Sequence, residues 1–175
     1  MKVLAFAASS SKQSINKQLA LYAASLIEGA DIELLDINDY EMPLFSSDRE
    51  QELGQPDEAK RFFAKIGEAD AIIISFAEHN GSYTAAYKNL FDWTSRIDMK
   101  VFQGKPAVYL ATSPGPGGAQ SVLSAAVSSA SFFAADVKAS LSIPSFYDNF
   151  DLEKQELRSP ELAIQLMDAI SALKA

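Results

Sequence analysis

Residues 9–16 carry the side chains best suited to hold an anion. They read Ser-Ser-Ser-Lys-Gln-Ser-Ile-Asn, so four hydroxyls, a cation and two amides lie within one short stretch. An apolar run at residues 3–7 precedes them and a helical pattern follows, which predicts a loop between a buried strand and a helix N-terminus. Free backbone N–H groups and the helix dipole favour phosphate at such a junction.

The same stretch excludes two common nucleotide motifs. It contains no Gly-x-Gly-x-x-Gly and no Gly-Lys-Ser/Thr ending, so it is neither a dinucleotide fingerprint nor a P-loop. Its hydroxyls suit a single phosphate monoester. A serine-rich turn that only caps the following helix is the alternative interpretation.

Two further segments offer small and hydrogen-bonding residues. Residues 77–83 read Ala-Glu-His-Asn-Gly-Ser-Tyr and include the only histidine of the chain, His79. Residues 112–120 read Thr-Ser-Pro-Gly-Pro-Gly-Gly-Ala-Gln, and their glycines would allow the backbone to approach a flat ligand closely. Taken alone, the glycine-rich segment is better explained as a turn, and the Asn-Gly pair of the other segment is itself a turn signal.

The elements that would position these segments alternate between strand and helix. Apolar runs predict strands at residues 3–7, 32–37, 71–76, 106–111 and 137–143. Helical stripes predict helices after residue 16, from an N-cap at Asp57, over 84–96, over 120–133, and after an N-cap at Ser159. Residues 38–56 are predicted to be a long irregular stretch.

This alternation predicts one α/β domain over residues 1–175, a doubly wound five-stranded parallel sheet of order 2-1-3-4-5 between two helix layers. In such a sheet, ligands bind outside the carboxyl ends of the strands, at the switch point between strands 1 and 3. The three segments follow strands 1, 3 and 4. The sequence therefore predicts that they converge on one site.

Composition narrows the function classes. The net charge is −8 and the pI about 4.6, which disfavours nucleic acid as a partner. The chain has no cysteine, so it has no disulfide, thiolate metal site or cysteine nucleophile, and no metal site is predicted. The first apolar run is too short for a signal peptide and no run approaches the length of a membrane span, so a cytoplasmic protein without a membrane partner is expected.

The chain resembles the NADPH-dependent FMN reductase family of the flavodoxin-like fold, a group that includes quinone, chromate and azo-dye reductases. The family's first loop, Gly-Ser-x-Arg-x-x-Ser-x-Asn, corresponds to residues 8–16. Its middle motif is Pro-Glu-Tyr-Asn-x-Ser followed by Leu-Lys-Asn-x-x-Asp-Trp-x-Ser-Arg. The motif corresponds to Ala-Glu-His-Asn-Gly-Ser at residues 77–82 and Tyr-Lys-Asn-Leu-Phe-Asp-Trp-Thr-Ser-Arg at residues 87–96. The glycine-rich third loop also matches.

The resemblance implies an NAD(P)H-dependent oxidoreductase that binds FMN and passes electrons to a quinone-like or other small acceptor. It implies no catalytic side chain, because the hydride chemistry takes place on the flavin. It implies three groups of FMN-binding residues: Ser9, Ser11, Ser14, Ile15 and Asn16 around the phosphate; Glu78, His79, Asn80 and Gly81 along the ring; and Ser113, Gly115, Gly117 and Gly118 at the other edge of the ring.

Two departures from the family pattern bear on this assignment. Ser11 stands where the family often has arginine, so neutral donors and the helix dipole would meet the phosphate charge, with Lys12 nearby, and FMN affinity would be lower. His79 replaces the ring-side tyrosine and would stack on the flavin, donate to it, or remain a solvated loop residue. Two alternative functions are a flavodoxin-type electron carrier without nicotinamide turnover and a binding protein that has lost FMN.

The resemblance also implies a homodimer or homotetramer, and apolar residues 42–45 with Tyr87, Phe91 and Phe102 are the expected contact residues. On the helix of the middle motif, Trp93 is expected in the core and Asp92 with Arg96 as an i,i+4 ion pair. Asn89 would brace a loop through its amide. Glu78 would either cap a helix or bond across a subunit interface.

Overall fold

Five parallel strands form the central sheet of the computed structural model, which describes residues 1–174. The strands are β1 Lys2–Ala8, β2 Asp31–Leu35, β3 Ala71–Phe76, β4 Glu78–His79, β5 Ser82–Tyr83, β6 Pro106–Thr112, β7 Asp136–Ile143, β8 Phe150–Asp151 and β9 Glu156–Leu157. The order in the sheet is β2-β1-β3-β6-β7, which is the predicted order 2-1-3-4-5 when only the strands of this sheet are counted. Two short antiparallel hairpins accompany the sheet, β4 with β5 and β8 with β9.

Helices cover both faces of the sheet. They are α1 Ile15–Ser25, α2 Ser47–Leu53, α3 Asp57–Glu68, α4 Ala85–Thr94, α5 Gln120–Ala130, α6 Phe146–Asn149 and α7 Pro160–Ser171, with 3₁₀ turns at Ile37–Tyr40, Ser131–Phe133 and Ala172–Lys174. The last long helix begins as predicted, because the Ser159 side chain accepts from the Leu162 N–H and Pro160 occupies the first turn.

Two apolar cores lie on opposite sides of the sheet. Leu19 of α1 and Leu166 of α7 pack on one face, while Phe62 of α3, Leu90 of α4 and Val122 of α5 pack on the other. Strand β3 is buried along its whole length, as expected for an unbroken apolar run covered on both faces. This arrangement confirms the predicted fold class.

The prediction of an irregular stretch at residues 38–56 is wrong in part. A 3₁₀ turn occupies Ile37–Tyr40, and α2 follows, with the Ser46 side chain accepting from the Arg49 N–H. No residue of α2 is buried, so the helix has no apolar stripe for periodicity to detect.

The predicted N-cap at Asp57 is also wrong. Pro56 is the N-cap of α3 and makes no side-chain cap hydrogen bond, and Asp57 is the first helical residue. There its carboxylate still faces the positive end of the helix dipole, so aspartate remains favourable one position further along.

Most of the residues expected at an oligomer interface instead pack against other residues of the same chain. Tyr87 and Phe102 are buried in the core, and Met42 is buried beside them. The Phe45 ring packs edge-on against Trp93, with ring centroids 5.1 Å apart. Pro43 and Leu44 are exceptions; both are exposed, Leu44 with 71% of its surface.

No helix within residues 1–174 combines the length and apolar character needed to cross a membrane.

Candidate functional site

The loops after β1, β3 and β6 meet at the carboxyl edge of the sheet around a cleft of about 240 Å³. The predicted site residues that line this cleft are Ser9, Ser11, Ser14, Ile15, Asn16, Glu78, His79 and Ser113. The others lie on the same loops but outside the lining: Asn80, Gly81, Gly115, Gly117 and Gly118. The predicted convergence of the three segments is therefore present.

Hydroxyls and backbone donors of the first loop face the cleft. The Ser14 hydroxyl caps α1 by accepting from the Lys17 N–H at 3.1 Å, and the Ser9 hydroxyl accepts from the Ser11 N–H at 3.2 Å. Both hydroxyls keep their own proton for donation to a ligand. Within residues 1–174, the N–H groups of Ile15 and Asn16 donate to no other group, as expected in the first turn of a helix. This donor set suits a phosphate.

The side chain of Asn16 is engaged elsewhere. Its Oδ1 accepts from the Ser75 hydroxyl at 2.7 Å and from the Thr112 N–H at 3.1 Å, and its Nδ2 donates to the Thr112 carbonyl at 3.1 Å. Asn16 is only 2% exposed. The amide thus ties α1 to the ends of β3 and β6, and its backbone N–H is the group left for an anion.

The two lysines near the first loop differ in whether a carboxylate already neutralises them. The Lys17 Nζ lies 2.6 Å from an Asp36 carboxylate oxygen. Partial burial would raise the pKa of Asp36, but the hydrogen bonds from Lys17 and Asn38 outweigh it and leave that pKa below its ordinary value. Lys12 is exposed and makes no ion pair with the described residues. Of these two lysines, Lys12 is therefore the one without a carboxylate partner among the described residues, and it lies beside the cleft lining instead of within it.

The second loop is a two-residue β-hairpin. Glu78 pairs with Tyr83 and His79 pairs with Ser82, with Asn80 and Gly81 at the turn. Both turn residues have positive φ, 52° and 75°, as a type I′ turn requires. The Asn-Gly signal in the sequence is thus confirmed as a turn, and the hairpin presents Glu78 and His79 to the cleft.

Glu78 connects the second loop to the third. Its Oε2 accepts from the Val122 N–H at 2.8 Å, in the first turn of α5. The N-cap residue of α5 is Ala119, which has no side-chain acceptor, so Glu78 supplies the capping group from a different loop. Of the two roles that the sequence left open, the described chain uses the cap.

The third loop is attached to the end of β7. The Gly115 carbonyl accepts from the Ser145 N–H at 2.9 Å, and the Ser113 carbonyl accepts from the Phe146 N–H at 3.0 Å. Gly118 has φ +58°, and a Cβ there would meet the Ser142 hydroxyl and lie 3.2 Å from the Pro144 backbone. Gly118 is therefore required by packing against the β7 end.

The attachment to β7 brings in a residue that sequence reasoning missed. Tyr147 of α6 lines the cleft and is 57% exposed. It follows the fifth strand of the sheet, away from the switch point, so no motif marked it. Gln13, Ala77, Thr112 and Pro114 also line the cleft and were not predicted, although each lies within a predicted loop.

The helix of the middle motif shapes residues 42–45 rather than the cleft. The Asn89 amide accepts from the Phe45 N–H at 2.8 Å and donates to the Met42 and Pro43 carbonyls. Trp93 is fully buried, and its Nε1 donates to the Pro43 carbonyl at 2.8 Å. The expected loop-bracing role of Asn89 and the core position of Trp93 are confirmed.

The expected ion pair on this helix is wrong. Asp92 pairs with Lys88 at 2.7 Å, and Arg96 pairs with Glu50 of α2 at 3.0 Å. Arg96 turns towards α2 because that helix, which the sequence did not reveal, places a carboxylate beside it.

The family model described as NADPH-dependent FMN reductase matches residues 1–148. The chain belongs to this family. Its first loop, hairpin and third loop are the parts of the FMN reductase fold that converge on the cleft.

Curated relatives give a consistent result. The FMN reductase domain is 37% identical to an NAD(P)H-dependent FMN reductase of Pseudomonas aeruginosa over 116 residues, which cover 66% of this chain and 61% of that protein. It is 34% identical to a 2-hydroxy-1,4-benzoquinone reductase of a Burkholderia species over 117 residues, 66% of this chain and 62% of that one. The chain thus spans about three fifths of the length of these relatives.

A solved structure extends the likeness to nearly the whole chain. It is a flavoenzyme NAD(P)H:acceptor oxidoreductase from Paracoccus denitrificans, 24% identical, with a TM-score of 0.77 over 98% of this chain and 94% of that one. At this identity the comparison shows the flavodoxin-like fold, in agreement with the strand order.

Proposed function

We propose that this protein is an NAD(P)H-dependent FMN oxidoreductase that reduces quinone-like or other small acceptors. One observation carries the proposal: in a chain of the FMN reductase family, hydroxyls and free helix N–H groups line the same cleft as the His79 hairpin. When bound, FMN would supply the redox chemistry, taking a hydride from NAD(P)H and delivering electrons to the acceptor.

The residues present fit the phosphate of FMN. Ser9, Ser11 and Ser14 would donate their hydroxyl protons, and the N–H groups of Ile15 and Asn16 would add the helix dipole. Neutral donors make weaker bonds to a phosphate than an arginine does, so the loop would hold FMN less tightly than an arginine-bearing loop.

The ring of FMN would lie between the hairpin and the third loop. His79 is exposed on the hairpin and Tyr147 is exposed on α6, so both aromatic faces are available to a flat ligand at this cleft. Glu78 is committed to its bond with the Val122 N–H and would set the hairpin position instead of contacting the ring directly. Asn80, Gly81, Gly115, Gly117 and Gly118 would contribute backbone at the rim, and Ser113 would contribute at the third loop.

The proposal is tested on purified protein by FMN titration and by NADPH oxidation with 1,4-benzoquinone as acceptor. We expect saturable FMN binding, and Ser11→Ala to weaken it about 2- to 10-fold through the loss of one hydrogen bond. Ser10→Ala is the matched control, because this exposed neighbouring hydroxyl does not line the cleft. Absence of FMN binding at high micromolar concentration would refute the proposal.

An anaerobic experiment separates the proposal from an electron carrier. Adding NADPH to the FMN-loaded protein is expected to bleach the flavin absorbance at once. A carrier without nicotinamide turnover would retain its absorbance until a chemical reductant is added.

We also propose that the chain acts as one domain in the cytoplasm and assembles as a homodimer or homotetramer. The exposed side chains of Leu44 and Phe132, 71% and 69% accessible, support an additional protein contact, since burying them would be favourable. Light scattering tests the assembly, and a monomeric mass at micromolar concentration would contradict it.

A further inference from the structure

A second cavity, the α4–α5 pocket, lies apart from the cleft. It has a volume of about 420 Å³ and is lined mainly by Phe76, Tyr83, Tyr87, Phe91, Tyr109 and Phe133. Phe76 and Tyr109 come from the sheet and form its floor, with ring centroids 5.1 Å apart. No residue lines both this pocket and the cleft at the sheet edge.

The walls of the pocket are aromatic. Tyr87 packs against Phe76 and Tyr83, with ring centroids 5.6 Å apart in both pairs, and Phe91 packs edge-on against Phe133 at 4.6 Å. Lys88 and Asp92, which form an ion pair, lie at the α4 side of the lining. A volume of this size with apolar walls is within the range of small-molecule sites.

Two buried phenols are the polar groups deepest in the pocket. Tyr109 is 1% exposed and Tyr87 is 4% exposed, and within residues 1–174 neither hydroxyl has a hydrogen-bond partner. Neither oxygen is completely inaccessible, since among the described residues the Gln18 Oε1 is the one side-chain polar atom that is both inaccessible and unpartnered. Burial raises the pKa of both phenols, so they remain protonated and able to donate at neutral pH.

Buried tyrosine hydroxyls normally have a partner, because leaving a buried donor unpaired costs free energy. We propose that the α4–α5 pocket binds a flat aromatic molecule carrying a hydroxyl or carbonyl oxygen, such as a phenol, naphthol or quinone. Its ring would stack among the aromatic walls, and its oxygen would pair with the hydroxyls of Tyr87 and Tyr109.

A small molecule suits this pocket better than a second copy of the chain. Tyr109 lies on the sheet floor and Tyr87 on the inner side of α4, and both are nearly inaccessible, whereas the lining nearest solvent includes α4 and α5 residues such as Lys88 and Ala125. A second copy would have to insert a polar side chain between α4 and α5 to bring an acceptor to Tyr109, whereas a small flat molecule fits the volume of the pocket. The proposal does not depend on FMN binding.

Calorimetric titration of the FMN-free protein with 2-naphthol tests the proposal. We expect saturable binding that added FMN does not displace. Ala125→Phe places a ring at the pocket and should abolish binding, whereas Ser128→Phe, an exposed position on the same helix outside the lining, should leave it unchanged.

A hydroxyl-specific comparison keeps the test decisive even if Ala125→Phe does not fold. Tyr109→Phe should weaken 2-naphthol about 2- to 10-fold but leave naphthalene unaffected, because naphthalene has no oxygen to pair. Tyr22→Phe, on the opposite face of the sheet, is the control and should change neither ligand.

Three results would overturn the proposal. They are the absence of saturable 2-naphthol binding up to its solubility, displacement of all bound 2-naphthol by FMN, and equal loss of both ligands in Tyr109→Phe. A dimer that Ala125→Phe dissociates, in a protein that binds no 2-naphthol, would assign the pocket to a second copy instead.

Discussion

Replacing Asn16 with alanine is expected to lower the free energy of unfolding of the FMN-free protein by about 3 kcal/mol. In the described residues, the Asn16 Oδ1 accepts from both the Ser75 hydroxyl and the Thr112 N–H. The substitution removes this acceptor from both donors. Both groups are buried, and each buried donor left without a partner costs about 1–3 kcal/mol. The lower part of that range is appropriate because a water molecule can enter the polar space that the amide leaves.

The assay is urea unfolding of the FMN-free protein, followed by circular dichroism and by the fluorescence of the buried Trp93. A loss of about 3 kcal/mol corresponds to a melting temperature lower by about 6–12 °C for a chain of this size. Ser11→Ala is the matched control: its exposed hydroxyl lines the cleft, so FMN affinity should fall while stability stays unchanged.

The opposite pattern would refute this reasoning. If Asn16→Ala changed stability by less than about 0.5 kcal/mol, the range of ordinary surface substitutions, while FMN affinity fell sharply, the amide would be a phosphate ligand and not a brace.

Three further predictions test the contacts around the loops. Glu78→Gln should cost about 1 kcal/mol in urea unfolding, since a neutral amide binds the Val122 N–H and the helix dipole less strongly. Asn89→Ala should accelerate hydrogen exchange at the Phe45 N–H, which loses its acceptor. Glu33→Gln should destabilise the protein at neutral pH but progressively less below about pH 4.5. The hydrogen bond from Lys65 holds the pKa of Glu33 below that ordinary value, so its contribution is complete above it and is lost as the pH falls through the lowered pKa.

Each of these predictions has its own contrary result. Glu28→Gln is the control for Glu78, since Glu28 is exposed and makes no ion pair or side-chain hydrogen bond with the described residues, and equal losses in the two variants would argue against the cap. Unchanged exchange at Phe45 would show that the Asn89 contacts do not hold residues 42–45. A Glu33→Gln effect that is constant from pH 7 to pH 3 would exclude the ion pair as its cause.

The order of strands and helices was predictable because packing into a core requires a recognisable apolar pattern in the sequence. The apolar runs of β1, β3 and β6 and the stripes of α1, α3 and α7 follow from what each element must bury. Helix α2 escaped prediction because it buries nothing. Short hairpins are equally hard to predict when only their turn residues, here Asn80 and Gly81, carry a signal.

The partners of polar side chains were the least predictable feature. Asp92 and Arg96 have ideal spacing for an ion pair, yet Arg96 binds Glu50, a residue distant in sequence. Asn16 lies in a phosphate-loop motif, yet its amide bonds to Ser75 and Thr112. Residue spacing describes local neighbours only, whereas hydrogen bonds go to whichever group the fold brings within about 3 Å.

The sequence by itself determined the family, the doubly wound sheet and the three loops that meet at its carboxyl edge, because hydrophobic periodicity and loop chemistry are local properties of the chain. The tertiary structure decided which of those loop groups remain available to a ligand. It commits the Asn16 amide, the Glu78 carboxylate and Gly118 to joining elements. It leaves three hydroxyls of the first loop at the cleft, together with His79 and Tyr147. It also encloses Tyr87 and Tyr109 in a second pocket. Their hydroxyls lie in one pocket only because the fold brings helix α4 and strand β6 together around it.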